Sequence, residues 1–314
     1  MLTERWHPYT LQFAAPWQTR RGSMASRSGR LLQLTDAQGQ SGWGDSAPLP
    51  EFGIAPELAD TFARDCAEND LAARVAGLPL NALLSGRPAV ETVAVNANHG
   101  LLIDWQPSQL AEACAAGFRI IKFKLGCAPL ADELYALSTC CAALPSGMLL
   151  RLDANGAWNI TEAKGFISAA NGMPIDMLEE PLRAPDFESL ARLQASTSFP
   201  LALDESVHLL TPAYFAAPPA RRLVLKPARF GGLRSTWKIG QNAQAAGIEC
   251  VVTSALESAC GLLACAHLAA ALAPSLVHGL AVDQWLKGSP WPWPRIRDGR
   301  LQLSRHPGLG FTPG

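Results

Sequence analysis

The stretch that decides the fold is an apolar run with two lysines in its middle, Ile120-Ile121-Lys122-Phe123-Lys124-Leu125-Gly126. Side chains on a strand alternate between its two faces, so Lys122 and Lys124 point to one side and the apolar residues to the other. A parallel strand that is covered on both faces normally contains apolar residues throughout. Two ammonium groups in such a strand therefore require anions or a metal-bound substrate close by.

The composition limits what the chain can do. Its 314 residues, at roughly 150 residues per domain, predict about two domains or one barrel with an extension. With 26 basic and 27 acidic residues in no long runs, the chain lacks the basic surface of a nucleic-acid binder. The N-terminus does not resemble a signal peptide, and the longest apolar stretch, residues 259–273, is too short to span a bilayer. We therefore expect a cytoplasmic protein that binds a small molecule, with no nucleic-acid or membrane partner; its oligomeric state is not readable from the sequence.

Eight cysteines could indicate a disulfide framework. However, the chain is long enough to build a large core, and none of the cysteines forms a C-x-x-C pair. We expect all eight to be buried thiols.

Residues 1–90 have the pattern of a small α+β domain. Alternating segments predict strands in a meander, the Gly- and Pro-rich segment that follows predicts an ordered functional loop, and two later segments predict helices. The strands are expected at 9–13 and 30–35 around a polar loop at 19–28, the ordered loop at 42–53, and the helices at 58–76 and 80–84. The tail, from about 285 to 314, contains a strand-like segment at 299–304 and is expected to return to the meander.

From 91 to 284 the pattern changes to short apolar strands that alternate with Ala-rich helices, as in consecutive βα units. Eight such units fit a closed α/β barrel better than an open doubly wound sheet. No Gly-x-Gly-x-x-Gly follows the first strand, which argues against a dinucleotide site. The predicted strands are 93–96, 120–125, 149–153, 176–179, 201–204, 223–226, 250–253 and 276–280.

Charged residues stand at the carboxyl ends of four successive strands, namely Asp153, Glu179, Asp204 and Lys226. In a closed barrel these ends lie around one rim, where barrel enzymes place their active sites. Three carboxylates without a matching His or Cys cluster favour Mg²⁺, with Mn²⁺ as a substitute, over zinc. A single Asp at a strand end is more often a helix cap, but capping does not explain the lysines.

These motifs, together with Lys122-x-Lys124, resemble the enolase superfamily and specifically its muconate lactonizing subgroup. The resemblance implies a modified (β/α)8 barrel, (β/α)7β, over residues 91–284, with an α+β capping domain over 1–90 that is completed by 285–314. It also implies that Asp153, Glu179 and Asp204 bind Mg²⁺ and that Asn155 and Glu205 support these ligands. Lys124 and Lys226 would lie on opposite faces of the substrate, with Lys122 near its carboxylate.

Within the subgroup, Trp43-Gly44-Asp45-Ser46-Ala47-Pro48-Leu49-Pro50 and Arg151-Leu152-Asp153-Ala154-Asn155 are most similar to the o-succinylbenzoate synthases. This similarity implies a syn dehydration of 2-succinyl-6-hydroxy-2,4-cyclohexadiene-1-carboxylate in menaquinone biosynthesis. Removing a proton next to a carboxylate makes a dianionic enediolate, which preorganised positive charge must stabilise. Lys124 would be the base, because the neighbouring Lys122 and the metal should depress its pKa, and Lys226 a cation over the ring.

Substrate selection is expected at Thr253 and Ser254, where hydroxyls and the free amides of a helix start suit a second carboxylate, and at Arg151. Helix capping explains the start of that helix equally well. The loops at 19–28 and 48–53 are expected to close the site.

Two alternatives remain. An N-succinylamino acid racemase or a dipeptide epimerase would use the same paired lysines as two bases. The epimerases are expected to carry an acidic motif after the eighth strand, and Ala281 stands where related enzymes often have Asp. The chain could also be a non-catalytic ligand-binding barrel, although the complete set of lysines and carboxylates argues against that.

Overall fold

The computed structural model describes residues 2–19 and 22–313. Within these ranges the strands are β1 (Thr3–Thr19), β2 (Gly22–Thr35), β3 (Ser41–Ser46), β4 (Thr92–Val95), β5 (Ala97–Leu101), β6 (Ile120–Lys124), β7 (Leu149–Asp153), β8 (Ile175–Glu179), β9 (Leu201–Leu203), β10 (Arg222–Leu225), β11 (Glu249–Val252), β12 (Val277–His278), β13 (Leu286–Lys287), β14 (Ile296–Arg297) and β15 (Arg300–Gln302). The α-helices are α1 (Pro56–Val75), α2 (Leu80–Ser85), α3 (Pro107–Ala115), α4 (Leu130–Ala143), α5 (Ile160–Ala170), α6 (Phe187–Ala195), α7 (Pro212–Ala216), α8 (Leu233–Ala245) and α9 (Ala259–Leu272).

The main sheet is a curled parallel sheet with the order β11-β10-β9-β8-β7-β6-β5. The eighth strand closes the ring. Gly279 donates its N–H to Val252 O at 3.0 Å on one side, and β12 pairs in parallel with β4 on the other. The predicted (β/α)7β barrel with an α+β capping domain is therefore confirmed.

All eight predicted barrel strands are present, and their observed ends lie within two residues of the predicted ones. The difference is at the first strand, where β4 continues past Asn96 into β5, which was not predicted. β5 is the part that pairs with β6, whereas β4 pairs with β12 and β15. The first strand is therefore longer than its apolar segment.

The side chains of β6 divide as the alternation predicts. Ile121, Phe123 and Leu125 are buried in the core between the sheet and its helices. Lys122 and Lys124 point to the opposite side, into the barrel, where Met177, Ala202, Val224 and Val251 form a separate small cluster. Both lysines therefore lie in the barrel interior, on the side away from the helices.

A second sheet, of order β13-β1-β2-β3, packs against α1, which in turn contacts α2, and we call these elements the cap. The prediction that residues 42–53 form one loop is wrong for its first part, because β3 covers Ser41–Ser46. A Cβ at Gly44 would overlap the carbonyl oxygen of Ala63 in α1. The glycine here permits a strand to lie directly on a helix, and the helix begins and ends where it was predicted, to within two residues.

Other N-terminal predictions change in the structure. Most of the predicted loop at 19–28 belongs to β2, which starts at Gly22, while residues 20–21 lie outside the described ranges. The strand-like tail segment forms β15, which pairs with β4 and not with the meander as predicted. The contacts of the tail with the meander come instead from β13, which pairs with β1, and from Phe311, which packs edge-on against Trp43. The domain boundaries near 90 and 284 stay a prediction.

The expectation of eight buried thiols is correct for five cysteines. Cys114 and Cys127 are exposed and Cys141 is partly exposed. In the part of the chain that the structure describes, no helix combines the length and the apolarity needed to cross a membrane.

His278 closes the barrel as a neutral side chain, which predicts a pH-dependent stability. Its Nδ1 accepts the N–H of Val252 at 3.0 Å, so the ring proton lies on Nε2, which donates to Ala273 O at 2.9 Å. Burial lowers the pKa of His278 to about 4, against 6.5 for an ordinary histidine. Because the unfolded chain takes up a proton first, stability is lost as the pH falls from 6.5 towards 4.

We expect the stability advantage of the wild type over His278→Asn to shrink by about 2 kcal/mol between pH 7 and pH 5. Asn can still accept from the backbone but does not titrate. Urea unfolding of both proteins at the two pH values measures the difference, and an advantage that is the same at both would refute the prediction.

Candidate active site

The carboxyl ends of the barrel strands bring the predicted lysines and carboxylates together. Lys124 is in register with Asp153 on β7, and Asp153 with Glu179 on β8. Lys122 Nζ lies 2.8 Å from Asp153 Oδ2 and 2.6 Å from Glu179 Oε2. On the other side of the rim, Lys226 Nζ donates to Asp204 Oδ2. The buried ammonium groups of Lys122 and Lys226 therefore have the charged partners that their burial requires.

Lys122 and Lys226 are held as ammonium groups. Burial alone would lower their pKa values, but the carboxylates of Asp153 and Glu179 outweigh it and raise the pKa of Lys122. Asp204 raises the pKa of Lys226 in the same way. Both side chains are therefore fixed positive charges inside the barrel.

Lys124 has the opposite shift. Burial lowers its pKa, and the ammonium groups of Lys122 and Lys226 lower it further, against the attraction of Asp153. The predicted direction is the same, but the main cause is burial rather than the neighbouring lysine. Among the three lysines, Lys124 is the one whose surroundings favour the neutral amine that a base requires.

The carboxylates have unused capacity for a cation. Within residues 2–19 and 22–313, Glu179 Oε1 and Asp204 Oδ1 are buried without a hydrogen-bond partner. Burial and the charge of Asp153 raise the pKa of Glu179 well above its usual value. The same ranges contain no three His, Cys, Asp or Glu side chains already gathered as a metal centre; Lys122 bridges Asp153 and Glu179, and Lys226 pairs with Asp204. The unpaired oxygens and the all-oxygen donor set fit Mg²⁺.

The two predicted supporting residues lie beside the carboxylates. The backbone N–H of Asn155 donates to Asp153 Oδ1 at 3.0 Å, and its side chain donates to Glu205 Oε1 at 3.3 Å. Burial, together with the charge of Asp204, raises the pKa of Glu205 to about 7. Asn155 thus connects the end of β7 to the loop that follows β9.

Glu180, which was not predicted, lies beside the proposed metal ligands and contacts the backbone of Asp204. Its Oε2 accepts the backbone N–H of Asp204 at 2.8 Å, and its Oε1 accepts the hydroxyl of Ser206. The backbone of Glu180 has φ +42°, a region that non-glycine residues rarely adopt. The second glutamate of Glu179-Glu180-Pro181 was a visible signal, but its contacts are tertiary.

Arg151, whose substrate contact stays a prediction, is held by other residues of the protein. Its side chain is 2% exposed and its Nε donates to Asp176 Oδ2 at 2.9 Å. The two terminal nitrogens donate to Asn96 Oδ1 and Val277 O. Arg151 therefore connects strands inside the barrel. It lies two residues before Asp153 on the inner face of β7, and so deeper in the barrel than the rim.

The hydroxyls predicted to bind substrate also have protein partners. Thr253 donates to Gly279 O at 2.9 Å and Ser254 donates to Glu257 Oε2 at 2.5 Å. Two amides of the segment before the helix also have partners, since Ala255 N–H donates to Glu257 and Ser258 N–H to Asp45. Glu257 and Asp45 thus accept hydrogen bonds from this segment, and its contact with a substrate carboxylate stays a prediction.

The predicted closing loop at 48–53 lies beside the barrel. A Cβ at Gly53 would be 3.4 Å from Arg229 Nε, and the guanidinium of Arg229 donates to Asp204 O at 3.3 Å and to Glu205 O at 3.0 Å. Arg229 was not predicted as a site residue. It connects the cap loop to the backbone of two rim residues.

Comparisons with known proteins extend these observations. Residues 107–314 match the family described as "Enolase C-terminal domain-like". The chain is 31% identical over 286 residues to the o-succinylbenzoate synthase of Edwardsiella ictaluri, with 87% of each chain covered. It is 31% identical over 313 residues to the o-succinylbenzoate synthase of Yersinia pseudotuberculosis serotype O:3, with 93% of this chain and 94% of the relative covered.

Solved structures share the whole architecture. The muconate lactonizing enzyme of Pseudomonas fluorescens, complexed with muconolactone, has a TM-score of 0.86 at 24% identity and covers 99% of this chain and 96% of its own. The dipeptide epimerase of Enterococcus faecalis, complexed with Mg and a dipeptide, has 0.86 at 22% with 98% of both chains. The N-succinyl Arg/Lys racemase of Bacillus cereus has 0.88 at 19%, with 100% of this chain and 95% of its own.

Proposed function

Because this chain belongs to the enolase superfamily, we propose that it removes a proton next to a carboxylate, and that it is an o-succinylbenzoate synthase. The reaction would convert 2-succinyl-6-hydroxy-2,4-cyclohexadiene-1-carboxylate to o-succinylbenzoate and water, a step of menaquinone biosynthesis. The observation that carries the proposal is the buried Lys124, whose pKa is lowered between two fixed ammonium groups. The relatives named o-succinylbenzoate synthase, at 31% identity over most of the chain, support the choice of reaction.

Lys124 would act twice. As a neutral amine it takes the proton from the carbon next to the ring carboxylate, and as the resulting ammonium it gives that proton to the departing hydroxyl. One C–H bond and one C–O bond break on the same face, water leaves, and the ring becomes aromatic. A single base therefore suffices for a syn elimination.

The remaining charged residues would stabilise the anion that forms. Lys226, fixed as an ammonium by Asp204, would lie across the ring from Lys124, and Lys122 would add positive charge on the carboxylate side. Asp153, Glu179 and Asp204 would hold Mg²⁺, supported by the unpaired oxygens of Glu179 and Asp204 in the described chain. When bound, Mg²⁺ supplies Lewis-acid stabilisation of the developing negative charge.

A second candidate is racemisation or epimerisation of an N-succinylamino acid or a dipeptide. Lys226 as an ammonium could deliver a proton to the face opposite Lys124, and the Bacillus cereus and Enterococcus faecalis proteins are named for such reactions. However, the relatives named o-succinylbenzoate synthase are 31% identical to this chain, against 19% and 22% for those two proteins. The dehydration is favoured for this reason.

A spectrophotometric assay decides between the candidates. We expect the purified protein with Mg²⁺ to convert the cyclohexadiene substrate to o-succinylbenzoate, and a chelator to abolish turnover until Mg²⁺ is restored. If the protein racemises N-succinylamino acids but does not turn over the cyclohexadiene substrate, the dehydratase proposal is wrong and the proton abstraction typical of the superfamily stands. Absence of both reactions, with a bound carboxylate ligand, would favour a non-catalytic barrel.

A further inference from the structure

The cap supplies the N-terminal cap of α8, a barrel helix. The N-cap residue of that helix is Gly232, which has φ +152° and no side chain to accept the first helical amides. Asp65 of α1 takes this role, since its Oδ2 accepts the N–H of Leu233 at 2.5 Å and that of Arg234 at 3.4 Å. A Cβ at Gly232 would lie 2.6 Å from Asp65 Cγ. The glycine leaves the space that the carboxyl group of the cap occupies.

A second cap carboxylate lies at the start of α9. Asp45 of β3 accepts the N–H of Ser258 at 2.7 Å through Oδ2 and the hydroxyl of Tyr9 at 2.7 Å through Oδ1. A Cβ at Gly261, in the first turn of α9, would lie 2.8 Å from Asp45 Oδ2. Again a glycine in the barrel helix makes room for a carboxylate that is distant in the sequence.

The loop before α9 is held by the cap at another point. Arg27 of β2 donates to Leu256 O at 3.2 Å and also to the carbonyl oxygens of Ala47 and Pro48. Leu256 has φ +65°, a left-handed conformation that is unfavourable for leucine. Such a conformation persists where its surroundings hold it, and here the cap provides part of that support.

These two helices follow the strands that carry rim residues. α8 comes after β10 and Lys226, and α9 comes after β11 and Thr253. We propose that Asp65 and Asp45 are positioning residues. Through them the cap, packed on the barrel, fixes the conformation of the loops at 226–232 and 253–258, and these loops reach their active conformation when the cap is in place. The kinetic part of this inference rests on the proposed function, whereas the structural part does not.

Hydrogen–deuterium exchange on the full chain tests the structural part without substrate. We expect Asp65→Ala to speed exchange roughly tenfold at amides 232–236, and Asp45→Ala to do so at 254–260, each with little effect at the other loop. Asp60→Ala is the matched control, because Asp60 lies on α1 and accepts from Ser46 and Arg30, both in the cap. We expect wild-type exchange at both loops in that variant.

Asn variants separate loss of the cap contact from general destabilisation. Asp65→Asn retains an oxygen that can accept from Leu233 and should restore slow exchange, whereas Asp45→Asn can replace just one of the two acceptors and should restore it in part. If Asp65→Ala does not fold, Asp65→Asn together with Asp45→Asn still gives this contrast. Faster exchange spread evenly over cap and barrel, or unchanged exchange at both loops, would overturn the proposal.

Steady-state kinetics of the same variants test the catalytic consequence. We expect Asp65→Ala to lower kcat, because its loop carries Lys226. We expect Asp45→Ala to raise KM more than it lowers kcat, because its loop carries Thr253 and Ser254, the predicted substrate contacts. Equal kinetics in all folded variants would remove the positioning role. If the wild type has no dehydratase activity, the proposed function fails while the exchange result decides the inference by itself.

Discussion

Lys124→Ala is expected to lower kcat by at least about 10³-fold, because loss of a general base leaves nothing in its place to accept the proton. Burial and two neighbouring ammonium groups lower the pKa of Lys124, which makes it the lysine best suited to be neutral in this site. The Mg²⁺ affinity should stay near the wild-type value, since the proposed ligands are Asp153, Glu179 and Asp204. The assay of o-succinylbenzoate formation measures the first effect, and the Mg²⁺-induced rise in Tm measures the second.

Two controls make that result specific. Lys238→Ala removes an exposed lysine of α8 and should leave kcat and the Mg²⁺ response unchanged. Lys124→Arg keeps a cation but cannot become neutral at working pH, so it should be as inactive as the alanine variant. Retained turnover in either Lys124 variant would remove this residue as the base.

The barrel was predictable because its signals are local. Buried parallel strands are short apolar runs, and each one recurs at the spacing of a βα unit. The charged residues that break these runs, such as Lys122 and Asp153, identified the active rim because strand ends in a barrel meet at one edge. Their approach in the structure, at 2.8 Å, is a diagonal contact between adjacent strands, since the register pairs Lys122 with Arg151 and Lys124 with Asp153.

The cap was harder to predict because its strands depend on tertiary contacts. β3 contains Gly42 and Gly44, which are typical of loops, and its conformation is set by close packing on α1. The pairing of β15 with β4 joins segments about 200 residues apart, and the apolar pattern of the tail does not encode that partner. Residue type predicted the strand in the tail but not the strand that it would join, and it did not predict β3.

The hydrogen-bond partners of the predicted substrate contacts were not predictable for a related reason. Arg151 lies two residues before a proposed metal ligand in the sequence, but its guanidinium pairs with Asp176 inside the barrel. The helix start after β11 looked open to a ligand because Asp45, which fills it, is 213 residues away in the chain. The sequence indicates that hydrogen-bond donors are present, whereas the fold decides which acceptor they bind.

Glu179→Gln is expected to abolish turnover and to weaken Mg²⁺ binding by about 100-fold or more, while the Mg²⁺-free protein stays folded. The change replaces a carboxylate that is 1% exposed by a neutral group of the same shape, and Lys122 keeps its partner Asp153. Because burial and Asp153 raise the pKa of Glu179, its charge is costly without a metal, so the metal-free variant should be at least as stable as the wild type.

Thermal unfolding across a Mg²⁺ titration separates these effects: the wild-type Tm should rise with Mg²⁺ and the variant Tm should not. Glu188→Gln, at an exposed position of α6, should respond like the wild type. A wild-type Mg²⁺ response in Glu179→Gln would show that the unpaired oxygen of this carboxylate is not a metal ligand.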